Sequence, residues 1–196
     1  MNRTSWSWPT LCLLLAAGSI AAWWARNPVG WEWWREDWSD AASWWTAALV
    51  HRSPAHGLAN LLALGALAVL GHSLRVPRAQ VLALVVAWPL STLGLVLFPQ
   101  IGRYAGLSGV LHAAVAVLVV HCAMARDLKA WAALLGAGLG LKLVAEAAWR
   151  QPLVFEPEWG FAVATGAHLT GALAGALCAL LAYGACRIFC TSAVVE

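Results

Sequence analysis

Apolar residues fall along this chain in six blocks separated by polar connectors, covering approximately residues 10–25, 55–71, 79–98, 107–125, 130–149 and 160–184. About 20 residues of helix are needed to cross a hydrocarbon core of ~30 Å. Each block therefore predicts one membrane-crossing helix, and together they predict an all-α bundle of six. One long segment interrupts the rhythm. Residues 26–53 carry Trp31, Trp33, Trp34, Trp38, Trp44 and Trp45 among Glu32, Arg35, Glu36, Asp37 and Asp40. Aromatic rings interleaved with charges suit the headgroup layer, so this segment is expected to lie at the membrane surface.

Composition narrows the picture. The 196 residues are 62% hydrophobic and 11% charged. Six spans use roughly 120 of them, and the remaining 76 or so, shared among tails and loops, are too few for a separate soluble domain. Residues 1–196 are thus expected to form a single polytopic membrane domain. The first block ends in Trp23 and Trp24 rather than in small residues, which favours a retained helix over a cleaved signal. Net charge is +3 with the basic residues scattered singly, so no nucleic-acid partner is expected. Cys12, Cys122, Cys178, Cys186 and Cys190 show no CxxC spacing and predict neither a disulfide framework nor a zinc site. There is no HExxH, and Asp37, Asp40 and Asp127 all lie outside the apolar blocks. No metal and no cofactor are expected.

An even number of spans puts both tails on one side. That side holds Arg3, Arg75, Arg78, Arg126, Lys129 and Arg187, against Arg26, Arg35, Arg52, Arg103 and Arg150 on the other. The first set includes two short, concentrated loops, where the positive-inside rule applies best. The termini are accordingly expected in the cytoplasm and the tryptophan-rich loop outside.

Polar groups are costly in hydrocarbon, and those that remain there are candidates for function. His56 and Asn60 stand one turn apart in the second block; Gly106, Ser108, Gly109 and His112 open the fourth; the sixth carries His168, followed by Gly171 and Gly175. Such a set suits acyl transfer. A serine hydroxyl needs a neighbouring base, which a histidine can be at neutral pH. Ser108 is the candidate nucleophile and His168 the candidate base. No carboxylate lies in the sixth block, which points to a Ser/His dyad. His56, Asn60 and the Ser108 N–H could donate to an oxyanion. Gly106 and Gly109 free the backbone around Ser108, and Gly171 and Gly175 allow close helix approach. Lys142 and Glu146, four residues apart, read as an intrahelical ion pair; a transporter would have to use this sole charged pair.

These residues resemble those of the rhomboid intramembrane serine proteases. HRSPAHGLAN, with His51, His56 and Asn60, is similar to the family's HxxxxHxxxN; GLSG at 106–109 matches GxSG around the nucleophile; AHLTGALAG at 167–175 resembles AHxxGxxxG around the base. The resemblance implies Ser108 as nucleophile, His168 as general base, His56 and Asn60 as oxyanion support and His51 as a structural loop histidine. Two departures stand out. His112 replaces a tyrosine that packs on the catalytic imidazole in many members, and Ala42–Ser43 occupy the place of a Trp–Arg pair. The string YAGLSGVLHA at 104–113 and the compact length look like the rhombosortase branch. That likeness implies a multi-pass enzyme of the bacterial inner membrane with its active site toward the periplasm. Its partners would be the bilayer and exported proteins bearing a C-terminal Gly-Gly signature, one hydrophobic helix and a basic end. The acyl-enzyme would pass to water or to an amine, and there is room for an accessory membrane protein. A non-catalytic rhomboid-like protein that binds membrane clients is the alternative.

Overall fold

Residues 7–192 are described by the computed structural model, in which seven α-helices carry the chain: α1 (Ser7–Trp24), α2 (Ser43–Thr46), α3 (Pro54–Ser73), α4 (Arg78–Leu93), α5 (Ser108–Met124), α6 (Lys129–Glu146) and α7 (Thr165–Ser192). Arg3, used above in the charge comparison, lies outside the described residues. Five helical segments are long and apolar enough to cross a membrane, and α5, at 17 residues, is a sixth apolar helix. The short α2 belongs to the first loop. The protein is a helical, multi-pass membrane protein.

Local chemistry sets the helix ends. The Ser53 hydroxyl accepts the His56 N–H at 3.2 Å and Pro54 occupies the first turn of α3, both favourable where backbone donors lack helical acceptors. Helix α4 follows Pro77 and tightens into a 3-10 turn at Gly94–Leu97. Helix α6 stops at Glu146 because Ala147 turns left-handed (φ 47°, ψ 42°), three residues before the expected end of the fifth span.

The sixth span needs a larger correction. Residues 160–164 do not begin a helix: β3 (Val154–Glu156) and β4 (Phe161–Val163) form an antiparallel hairpin, and α7 starts at Thr165. Phe161, Ala162 and Val163 are apolar enough to extend a hydropathy block, but Gly160 (φ 73°) makes a turn that lets them pair as a strand.

Helix α5 is the centre of the bundle, with ten buried residues, whereas α6 has none and lies at the periphery. Helices α5 and α7 meet backbone to backbone. A Cβ added at Gly171 would lie 2.0 Å from the Gly109 carbonyl oxygen, and one at Gly175 would lie 2.3 Å from that of Ala113. Polar links join the helices where lipid supplies no water: Thr170 Oγ1 donates to Ser91 O at 2.7 Å and Gln80 Nε2 to Ala179 O at 3.1 Å. At the other flank, the fully buried Trp8 of α1 donates from Nε1 to Leu67 O at 2.9 Å, its indole filling the space left by Gly71.

The tryptophan-rich segment is folded against the helices. Trp34, Trp38 and Trp45 are exposed, but Trp33 is fully buried, and β1 (Trp33–Trp34) pairs with β2 (Arg103–Tyr104). Trp34 is followed by Arg35, whose guanidinium donates to Leu95 O at 2.8 Å, Ile101 O at 2.9 Å, Val96 O at 3.4 Å and also Phe98 O. Leu95 and Val96 belong to the 3-10 turn that follows α4, Phe98 caps it and Ile101 lies in the segment leading to β2, so one guanidinium ties the loop to the end of that helix. The loop lacks a Trp–Arg pair at residues 42–43 but is anchored by one at 34–35.

Candidate active site

The N-terminal turns of α3, α5 and α7 and the C-terminal turn of α6 gather at one end of the bundle. Between them is a cavity of about 730 Å³, with His56, Asn60, Ser108, His112, Glu146 and His168 at its polar end. Its apolar wall includes Ala59, Ala63 and Ala66 of α3 and Leu134, Leu135 and Gly138 of α6. Trp159 and Val163 of the hairpin segment complete the lining.

Ser108 opens α5, so its N–H belongs to the turn in which backbone donors lack helical acceptors. Gly106 precedes it with φ 140°, a conformation that favours glycine, and a Cβ there would lie 2.9 Å from the His56 ring. The buried Tyr104 ties this turn together. Its hydroxyl donates to Gly106 O at 2.5 Å and accepts the Gly109 N–H at 3.3 Å. Burial pushes the Tyr104 phenol up to about 12, so it stays neutral and keeps its donor. Tyr104→Phe is expected to cost about 1–3 kcal/mol, the range for stranding buried polar groups. Thermal unfolding in detergent should show a lower midpoint, and an unchanged midpoint would deny the phenol this role.

His168 lies in the first turn of α7 and is 5% exposed. Its Nδ1 is 2.8 and 2.9 Å from the two carboxylate oxygens of Glu146 on α6. Its Nε2 is buried without a protein partner. The His112 ring stacks on it with centroids 4.1 Å apart and planes 8° from parallel, the place expected for the family's tyrosine. His112 Nδ1 is 2.8 Å from Ser108 O, and since a carbonyl only accepts, Nδ1 donates. His56 and Asn60 are buried one turn apart, and His56 Nδ1 and Asn60 Nδ2 have no protein partner. Trp159 and Phe161 cover the His56 ring at 5.7 and 5.2 Å. His51, behind it at 5.3 Å, has Nδ1 3.2 Å from Leu49 O; burial lowers its pKa below the usual 6.5.

The cavity thus receives a hydroxyl, an imidazole with a free ring nitrogen and side-chain donors. His56, Asn60, Gly106, Ser108, Gly109, His112 and His168 all come together at this end. Sequence reasoning missed the carboxylate that meets the His168 imidazole. The absence of a carboxylate in the sixth block pointed to a dyad, but Glu146 reaches the imidazole from the fifth. It also pairs with Lys142 at 2.9 Å, as its spacing indicated. The available signal was that Glu146 is the one glutamate inside an apolar block.

Ligand atoms of His112, Glu146 and His168 lie within 4.8 Å of one another. Stacked, parallel rings do not converge their in-plane lone pairs on one ion, and His112 Nδ1 already meets a carbonyl. The arrangement suits imidazole packing better than metal ligation.

Comparison with curated proteins gives no match. The family model described as Rhomboid domain matches residues 30–185, well over half of the chain. Members of that family are usually intramembrane serine proteases acting on membrane-protein substrates, and non-catalytic members also exist. By this match and its helical membrane bundle, the chain belongs to the rhomboid family.

Proposed function

We propose that the protein is an intramembrane serine endopeptidase of the rhombosortase type, cutting the C-terminal membrane tail of exported proteins. The observation that carries this reading is the buried, unpartnered Nε2 of His168 on the cavity that Ser108 also lines. In this mechanism Nε2 takes the Ser108 proton as Oγ attacks the scissile carbonyl. The oxyanion is received by Asn60 Nδ2, His56 and the Ser108 N–H; one such donor is typically worth about 100- to 1,000-fold in rate. The enzyme would sit in the bacterial inner membrane with this site toward the periplasm and its termini in the cytoplasm. A client-binding protein without catalysis remains the competing class.

The cavity also bears on the substrate. Ala59, Ala63 and Ala66 face it from α3 and Gly138 from α6, and small residues let a helical tail approach closely. A peptide bond inside a helix is shielded by its own hydrogen bonds. Each glycine weakens a helix by about 1 kcal/mol relative to alanine, so a Gly-Gly pair favours local unwinding near Ser108. The acyl-enzyme then passes to water or to an amine, with an accessory membrane protein as a further partner.

The test is a membrane-anchored reporter with a Gly-Gly, hydrophobic-helix, basic C-terminus, incubated with the purified protein in bilayers. Cleavage near the glycines is expected, with a strong loss of rate when both become leucine. The mass of the new C-terminus separates a free carboxylate from an amide. A reporter bound but left uncut would favour the client-binding class.

A further inference from the structure

We propose that Glu146 is a positioning residue completing a Ser108–His168–Glu146 relay assembled across α5, α7 and α6. The inference rests on the serine-protease reading and deepens it. A lone histidine base is ambiguous, because the ring can rotate and either nitrogen can carry the proton; only the Nδ1–H tautomer leaves a lone pair on Nε2. Both Glu146 oxygens lie within 2.9 Å of Nδ1. An ionised carboxylate only accepts hydrogen bonds, so with Glu146 charged, Nδ1 is the donor. The free lone pair is then on Nε2, the atom that has no protein partner. His112 lies parallel against the ring face, so one contact sets the tautomer and the other limits the tilt.

An intrahelical ion pair does not account for this geometry. Exposed pairs at this spacing contribute little, and the carboxylate need not leave the helix surface to make one. Here the Lys142 side chain is 56% exposed and that of Glu146 only 13%, with both carboxylate oxygens reaching the imidazole of α7. Helix α6 also ends at this residue, with Ala147 in the left-handed conformation that commonly closes a helix, so Glu146 stands in the last turn, facing the start of α7.

The relay balances without a further reactant. As the Ser108 Oγ–carbon bond forms, the hydroxyl proton moves to Nε2, while the Nδ1 proton stays on the ring and the Glu146 carboxylate offsets the imidazolium charge. Nε2 next gives its proton to the leaving amine nitrogen as the carbon–nitrogen bond breaks. In hydrolysis, water gives a proton to Nε2 as its oxygen bonds the acyl carbon. That proton returns to Ser108 Oγ as the acid departs. Glu146 is unchanged throughout.

The experiment is the rate of labelling by a fluorophosphonate probe, read by intact mass on the full chain in detergent micelles and resolved into kinact and KI. Glu146→Gln is expected to lower kinact by about 10²- to 10⁴-fold with KI within about threefold, because the residue acts through the base and not on the probe. Lys142→Ala is expected to stay within about threefold in kinact. Equal kinact in wild type and Glu146→Gln would overturn the proposal. So would a loss in Lys142→Ala as large as that in Glu146→Gln, which would make the ion pair the functional element. If the glutamine variant does not elute as a monodisperse species, Glu146→Asp carries the test. Its shorter carboxylate should slow kinact by about tenfold, and an undiminished rate overturns the inference. Failure of wild type to label at Ser108 would overturn the protease reading itself and the relay with it, a result distinct from an unaffected variant.

Discussion

Replacing Ser108 or His168 with alanine is expected to lower turnover of a cleavable tail by about 10⁴- to 10⁶-fold, and the double variant is expected to be no slower than the worse single one. Nucleophile and base act as a unit, so once either is gone the other has nothing to do, and such losses do not add. What survives comes from binding and the oxyanion donors. His56→Ala and Asn60→Ala should accordingly each fall only about 100- to 1,000-fold. The order of these losses is the diagnostic. Reporter cleavage within tenfold of wild type in Ser108→Ala would remove serine catalysis from the account, as would additive losses in the double variant.

The second large effect concerns a side chain that is absent. Gly171→Ala places a methyl 2.0 Å from the Gly109 carbonyl oxygen and 2.8 Å from its carbon. Backbone cannot rotate aside as a side chain can, so α5 and α7 must part by more than 1 Å to reach ordinary contact distance, on the order of the misplacement that costs a rate about 100-fold. Overpacking of this kind also costs about 1–3 kcal/mol or more in stability. Gly109 follows Ser108, and Gly171 lies one turn after His168, so the displacement acts directly on the candidate pair. Reporter cleavage should fall at least about 100-fold and the unfolding midpoint should drop. Gly140→Ala, at an exposed position of α6 with nothing within 4 Å of the added methyl, should leave both near wild type. Parallel behaviour of the two variants would show that the close approach does not hold the site.

Much of this was legible in the chain. Six apolar blocks gave six helices, because hydropathy over about 20 residues is a strong signal in a membrane protein. The spacings within His56–Asn60 and Ser108–His112 put each pair on one helix face, and the bundle gathers these residues with His168 at one cavity. What stayed hidden depended on tertiary geometry. Residues 161–163 are as apolar as a helix, and only the turn at Gly160 shows that they pair as a strand. Arg35 looked like one more interfacial charge until four carbonyls were found around its guanidinium. Glu146 had a sufficient local explanation in Lys142, and a satisfied local pair gives no hint of a partner 22 positions away.

Trp8 has a consequence for how the molecule is made. Helix α1 lies wholly before the matched residues 30–185, yet it is keyed into α3 by an indole in the space that Gly71 leaves and by a hydrogen bond to Leu67. During synthesis α1 emerges before α3, so its key exists before the lock, and the indole N–H must wait in lipid or at the interface until α3 follows. Helix α1 is therefore a structural part of the finished wall, although it lies outside the matched residues.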